Sequence, residues 1–248
     1  MNDLLERARA YVARRATGPR HEGDHWDSLP PRLPLALWAV GLLAFLAVYV
    51  FMFTHVHIVA DTRVCELRLD DPIFRLIPED RRWQLVTVDI YTWLTVAAMA
   101  GVFAQAYLGD HRPTVRWGLG LAICGMFRAC TILLIPLCRY TRMPGTRALD
   151  HIPTLNLGFA EIPWRMFASN DLLFSGHVCE LVLLLRATRS WPTPLRTILW
   201  SFQVLQIVGL LFGRGHYTVD IIVAFPIAIA ADHLSHRIGS WLTPGKAT

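Results

Sequence analysis

The chain has 248 residues, of which 54% are hydrophobic and only 17% charged, and its mean hydropathy is +0.37. That is too apolar for a soluble domain of this length and points to an integral membrane protein. The formal net charge is +5 with a pI near 9.2, yet no basic cluster stands apart from a membrane flank, so anionic lipid headgroups rather than nucleic acid supply the expected counter-charge.

Residues 2–16 place Leu4, Leu5, Ala8, Tyr11 and Val12 on one helical face and Arg7, Arg14 and Arg15 elsewhere. This pattern suits either an interfacial amphipathic helix or a solvated tail. A linker rich in Pro, Gly and charge follows over residues 17–34. The first long apolar run lacks a small-residue cleavage site, so it reads as a span and not a signal peptide. Roughly 20-residue runs at 34–53, 86–108, 114–137, 174–189, 195–213 and 217–234 predict about six transmembrane helices. The expected fold is all-α, a polytopic helical membrane bundle: a cytoplasmic amphipathic segment and linker over 1–33, the bundle over 34–236 and a cytoplasmic tail over 237–248.

The fourth run is short, and its Arg186 and Arg189 are placed to snorkel to the interface. Trp38, Trp83, Trp117, Trp191 and Trp241 fall near span ends, as an aromatic belt requires. The arginine bias between loops puts both termini in the cytoplasm and the two long loops, 54–85 and 138–173, outside. Cys65, Cys124, Cys130, Cys138 and Cys179 show no metal-ligand spacing, so no zinc site is expected. Cys65 and Cys138 are able to pair if both face an oxidising compartment, a connectivity that spacing does not decide. His55 and His57 read as solvated loop histidines in preference to metal ligands.

Two stretches carry chemistry. In Gly215-His216-Tyr217-Thr218-Val219-Asp220 the His and Asp are four residues apart, which stacks them on one helical face. A carboxylate there accepts one imidazole N–H, fixes the tautomer and leaves the other nitrogen free to attack or to move a proton. In Asp171-Leu172-Leu173-Phe174-Ser175-Gly176-His177 a helix start gathers backbone N–H groups, a hydroxyl and an imidazole around one point, which suits a phosphate. Arg128, toward the outer end of the third run, is either a phosphate clamp or a partner for Glu180. Asp171 either orients His177, coordinates a headgroup amine or caps a helix. Trp164, Phe174 and Tyr217 are either a cation–π wall for an ammonium headgroup or ordinary interfacial aromatics.

The 171–177 and 216–225 motifs resemble the two lumen-facing motifs of sphingomyelin synthases, relatives of the type 2 phosphatidic acid phosphatases. Phe127-Arg128-Ala129-Cys130-Thr131 resembles the arginine-containing stretch on the third span of that family. The chain has Ser169-Asn170-Asp171 where the family usually has Cys-Gly-Asp, and it lacks the amino-terminal interaction domain that some members carry. It also lacks the phosphatase motif: Arg112-Pro113 is preceded by Gln105 where a lysine belongs, and Gly209-Leu210 replaces the phosphatases' Ser-Arg.

The resemblance implies a catalytic His177, His216 and Asp220. Arg128, Asp171, Ser175, Gly176 and Tyr217 are the expected substrate-binding residues, with no metal and no cofactor. The implied activity moves phosphocholine or phosphoethanolamine from a glycerophospholipid to ceramide, or a similar lipid alcohol, through a phosphohistidine-type intermediate on the extracytoplasmic face. A lipid phosphate phosphatase or phospholipase C-like hydrolase, using water as acceptor, and a non-catalytic scaffold are the alternatives. The expected partners are membrane lipids: a phosphatidylcholine or phosphatidylethanolamine donor and a ceramide or diacylglycerol-like acceptor, with homo-oligomerisation left open.

Overall fold

The computed structural model describes residues 6, 10, 25–30, 33, 35–62, 69–135, 154–156, 161–163 and 174–242. The expectations for 2–16, Cys65, Cys138, Trp164 and Asp171 lie outside these.

Helix α1, Leu35–Phe51, passes into a π-helical stretch, Met52–Val56, and on into α2, His57–Thr62. The first rod is therefore longer than the apolar run alone suggests. His57 is buried at 3% exposure and His55 hydrogen-bonds the Thr54 hydroxyl at 2.7 Å, so neither is a loop histidine. Beyond it come the single turn α3, Pro72–Leu76, then α4, Arg81–Tyr107, and α5, Arg112–Leu134. A three-residue antiparallel ribbon pairs β1, Thr154–Asn156, with β2, Glu161–Pro163. The remaining helices are α6, Gly176–Ala187, α7, Thr193–Phe212, and α8, Thr218–Trp241.

Four segments are long and apolar enough to cross a membrane: Leu37–Ala60, Arg112–Leu134, Thr193–Phe212 and Thr218–Trp241. The second and fourth expected spans behave differently. The 27 residues of α4 reach about 40 Å, but its described apolar part is only Trp93–Tyr107. The 12 residues of α6 reach about 18 Å, short of the roughly 30 Å hydrocarbon thickness.

Instead, α6 is the central post of the bundle. Val178, Leu181, Leu183 and Leu184 are at most 1% exposed, because a helix apolar on every side is buried on every side. Close approach of the neighbours needs small residues. At Gly120 on α5 an added Cβ would meet a Leu183 methyl at 2.8 Å, and at Gly125 it would meet Val48 on α1 at 2.6 Å.

Three contacts give the helix directions. Ser175 meets Asp220 and Cys179 meets Ala224, while further along Arg186 meets Asp232. Both partners advance together, so α6 and α8 run parallel. Arg116 on α5 also reaches Asp232, whereas Arg128, later in α5, reaches Phe174, so α5 runs antiparallel to both.

This arrangement changes three expectations. Arg186 pairs with Asp232, Nε to Oδ2 at 2.5 Å, instead of standing free to snorkel, and the buried Arg116 completes an Arg–Asp–Arg group at 2.5 Å. Trp117 is 4% exposed within the core, not part of a belt. The expected linker packs in part: His25–Ser28 forms a 3₁₀ turn, with Trp26 and Leu33 both at 3% exposure.

Candidate active site

Because α6 and α8 are parallel, their N-termini lie at one end of the bundle, and each carries a histidine there. The Ser175 backbone N–H donates to the Asp220 carbonyl at 3.0 Å, fastening the two starts together. The imidazole rings of His177 and His216 stand 6.0 Å apart at 68°. The two motifs, 39 positions apart in number, thus form one site.

The His216 ring is 5% exposed and the Asp220 side chain fully buried, with Nδ1 3.4 Å from Oδ2. The same oxygen accepts the Tyr217 backbone N–H at 3.0 Å, so one carboxylate caps α8 and faces the imidazole at once. Asp220 Oδ1 is buried with no hydrogen-bond partner among the described residues.

On the other side, Ser175 is the N-cap of α6, its hydroxyl accepting the Val178 N–H at 3.4 Å. It is fully buried, so its side chain holds the helix start. Arg128 Nη1 donates to the Phe174 carbonyl at 2.7 Å. An added Cβ at Gly176 would lie 2.7 Å from that same nitrogen. Glycine here is the space the guanidinium occupies, which lays a fixed positive charge against the N-terminus of α6. His177 is half-buried and follows directly.

Tyr217 is placed differently from a headgroup wall. Its ring is 1% exposed and stacks on Phe74 with centroids 5.8 Å apart. Among the described residues the two non-glycine positive-φ residues are Phe174, at φ 39°, and Arg214, at φ 54°. Each stands within three residues of a site histidine. Such conformations are uncommon and persist only where the surroundings hold them.

What holds Arg214 was not foreseen from sequence. Its Nη2 donates to the Phe74 and Ile77 carbonyls, both at 2.7 Å, and its guanidinium carbon lies 4.2 Å from the Phe74 ring centroid. Asp71 is the second clip. It caps α3 through Ile73 N–H at 2.9 Å and also accepts the Thr218 N–H at 2.6 Å and hydroxyl at 3.0 Å. The sequence Asp71-Pro72 is a legible cap with proline at the first helical position; its grip on Thr218 is not legible.

Arg112, which opens α5, and Gln105, near the end of α4, were compared above with the phosphatase motif and lie away from the two histidines. Arg112 pairs with Asp110 at 2.9 Å, and Gln105 accepts the Trp191 indole N–H at 2.8 Å. Among the described residues no cluster of three or more His, Cys, Asp or Glu side chains has a metal-binding arrangement.

Residues 169–237, which contain both histidines and Asp220, match the family model described as PAP2 superfamily C-terminal. The chain is 27% identical over 226 residues to phosphatidylcholine:ceramide cholinephosphotransferase 2 of Caenorhabditis elegans, covering 83% of this chain and 64% of that protein. Over 65 residues it is 32% identical to phosphatidylinositol:ceramide inositolphosphotransferase 3 of Arabidopsis thaliana, covering 24% of this chain and 22% of that one. The chain thus spans less than two thirds of the length of either relative. Within the matched stretch, His177 lies in the first turn of α6, His216 two residues before α8 and Asp220 in the first turn of α8, while Asp232 lies toward the far end.

Proposed function

We propose that this protein transfers a phospho-headgroup from a glycerophospholipid to a lipid alcohol of the ceramide type. The observation that carries the proposal is the 6.0 Å separation of the His177 and His216 rings, with Asp220 behind only His216. A phosphoryl group fits between two imidazoles that approach from different directions, one attacking and one delivering a proton. Support for the substrate class comes from the relatives' names, which pair a phospholipid with ceramide.

His216, its Nδ1–H directed at Asp220, attacks phosphorus through Nε2. The bond from phosphorus to the diacylglycerol oxygen breaks, and His177 gives that oxygen its proton. Diacylglycerol leaves and the headgroup phosphate remains bonded to His216. His177, now neutral, takes the proton of the acceptor's hydroxyl, whose oxygen attacks phosphorus and frees His216. Arg128 and the backbone N–H groups opening α6 stabilise the charge that develops on the phosphoryl oxygens. Ser175 holds the start of α6 as its cap, Tyr217 steadies the start of α8, and Asp171 is the expected headgroup-binding residue in the stretch before α6. The reacting end of the bundle faces away from the cytoplasm, and both termini are cytoplasmic.

The test uses the purified protein in vesicles of phosphatidylcholine or phosphatidylethanolamine containing a fluorescent ceramide. Conversion of the ceramide to a phospho-headgroup lipid, with equal release of diacylglycerol, is the expected result. Diacylglycerol with free phosphocholine or phosphoethanolamine, and no modified ceramide, would identify a hydrolase instead.

A further inference from the structure

The far end of α8 carries a second group of imidazoles that the reaction does not use. His25, on the 3₁₀ turn, lies 5.3 Å from His233 and 5.5 Å from His236, centroid to centroid. His25, His233, His236 and Arg237, with Ala230 and Leu234, line a cavity of about 400 Å³. That volume falls in the range of small-ligand sites, roughly 300–1,000 Å³. His233 follows Asp220 by thirteen positions, or about 20 Å along the helix, so this cavity is separate from the site around His177 and His216.

Among the described residues that line it, the charged side chain is the guanidinium of Arg237. Asp232, one position before His233, is already held by Arg116 and Arg186. Trp26, beside the cavity on the 3₁₀ turn, lies under Arg116 at 5.9 Å and against His236 at 5.7 Å. An added Cβ at Gly239 would meet Leu29 at 3.3 Å and Trp26 at 3.5 Å, so this stretch is seated closely on α8 and the cavity wall is built from two distant parts of the chain. Imidazole and guanidinium N–H groups around an apolar floor recognise a phosphate attached to something greasy.

We propose that this cavity binds a phosphate-bearing anion, with phosphate held by Arg237 and the three histidines. An acyl chain lying along Ala230 and Leu234 would make a lipid headgroup the occupant, and without it a free phosphate would be. The site joins the amino-terminal segment to α8, so its occupant also fastens that segment to the bundle.

The experiment uses the full chain in phosphatidylcholine nanodiscs and follows carbethoxylation of His233 by diethylpyrocarbonate, mapped on peptides by mass spectrometry. Three conditions are compared: no addition, phosphatidic acid in the disc, and inorganic phosphate in the buffer. Exposed His55, at the other end of the bundle, is the internal reference. Slowing at His233, together with His25 and His236 and with no change at His55, is expected. If only phosphatidic acid protects, the ligand is a lipid headgroup; if inorganic phosphate protects equally, it is a free anion, and either result sustains the site. No protection by either probe overturns the proposal. The Arg237→Gln variant should weaken protection about tenfold, the loss of one charge-assisted contact, while leaving headgroup turnover at the other end unchanged. Undiminished protection in that variant would equally overturn the site.

Discussion

Ser175 donates its backbone N–H to the carbonyl of Asp220 at 3.0 Å. This one bond joins the cap of α6 to the first turn of α8, and it fixes how far apart the two histidines sit. His177 follows Ser175 by two positions and His216 precedes Asp220 by four, so a shift of either helix along its axis alters their separation directly.

Asp220→Asn should keep the fold of the first turn while weakening the charge behind His216. Loss of the carboxylate leaves the ring free to adopt the wrong tautomer, and turnover should fall about 10²- to 10⁴-fold with little change in substrate affinity. Steady-state headgroup transfer in vesicles measures both quantities. A variant with near-normal turnover would remove Asp220 from the mechanism.

Gly176→Ala tests the seat of Arg128. The new methyl would come within 2.7 Å of Nη1, and that nitrogen is tied to the Phe174 carbonyl, so the guanidinium has to leave its place against α6. Turnover should drop at least tenfold while thermal stability in detergent changes little. If Arg128 merely braces the bundle, stability and activity will fall together.

Asp71→Ala removes a residue that caps α3 and holds Thr218 at the start of α8. At about 0.5–2 kcal/mol for each cap, the expected loss is about 1–4 kcal/mol of stability. Asp71→Asn keeps most of the capping and should cost less. Denaturation of the purified variants in mixed micelles orders the three proteins, wild type first, Asn second, Ala last.

Asp232→Ala leaves the 4%-exposed Arg116 side chain without its carboxylate. Breaking a buried pair from one side costs about 3–5 kcal/mol, so this variant should unfold more readily than Asp71→Asn, which keeps most of its capping. Its effect is on stability, because Asp232 is at the opposite end of α8 from His216. Equal stability of the two variants would contradict the placement of Asp232 as the core of the Arg–Asp–Arg group.

The placement of His216 beside Asp220, and of Ser175 as a helix cap, was legible because both are local: the first pair is four positions apart and the second stands where an apolar helix begins. Span number was less legible. The run at 174–189 has an apolar centre, Val178 to Leu185, and periodicity does not separate a short span from a buried post. The clips on Arg214 and Asp71 were out of reach, since each depends on a carbonyl or a helix start more than 130 positions away. Arg186 looked like an interfacial arginine only because its partner, Asp232, is 46 positions further on.

The direct test of the two-histidine mechanism is to trap the intermediate. The protein is incubated with headgroup-labelled phosphatidylcholine or phosphatidylethanolamine in the absence of acceptor, quenched without acid, and digested for peptide mass spectrometry. We predict an acid-labile phospho-headgroup adduct on His216, retained at a lower yield in His177→Gln and absent in His216→Gln. Adduct on His177, or label that persists unchanged in His216→Gln, would contradict the account.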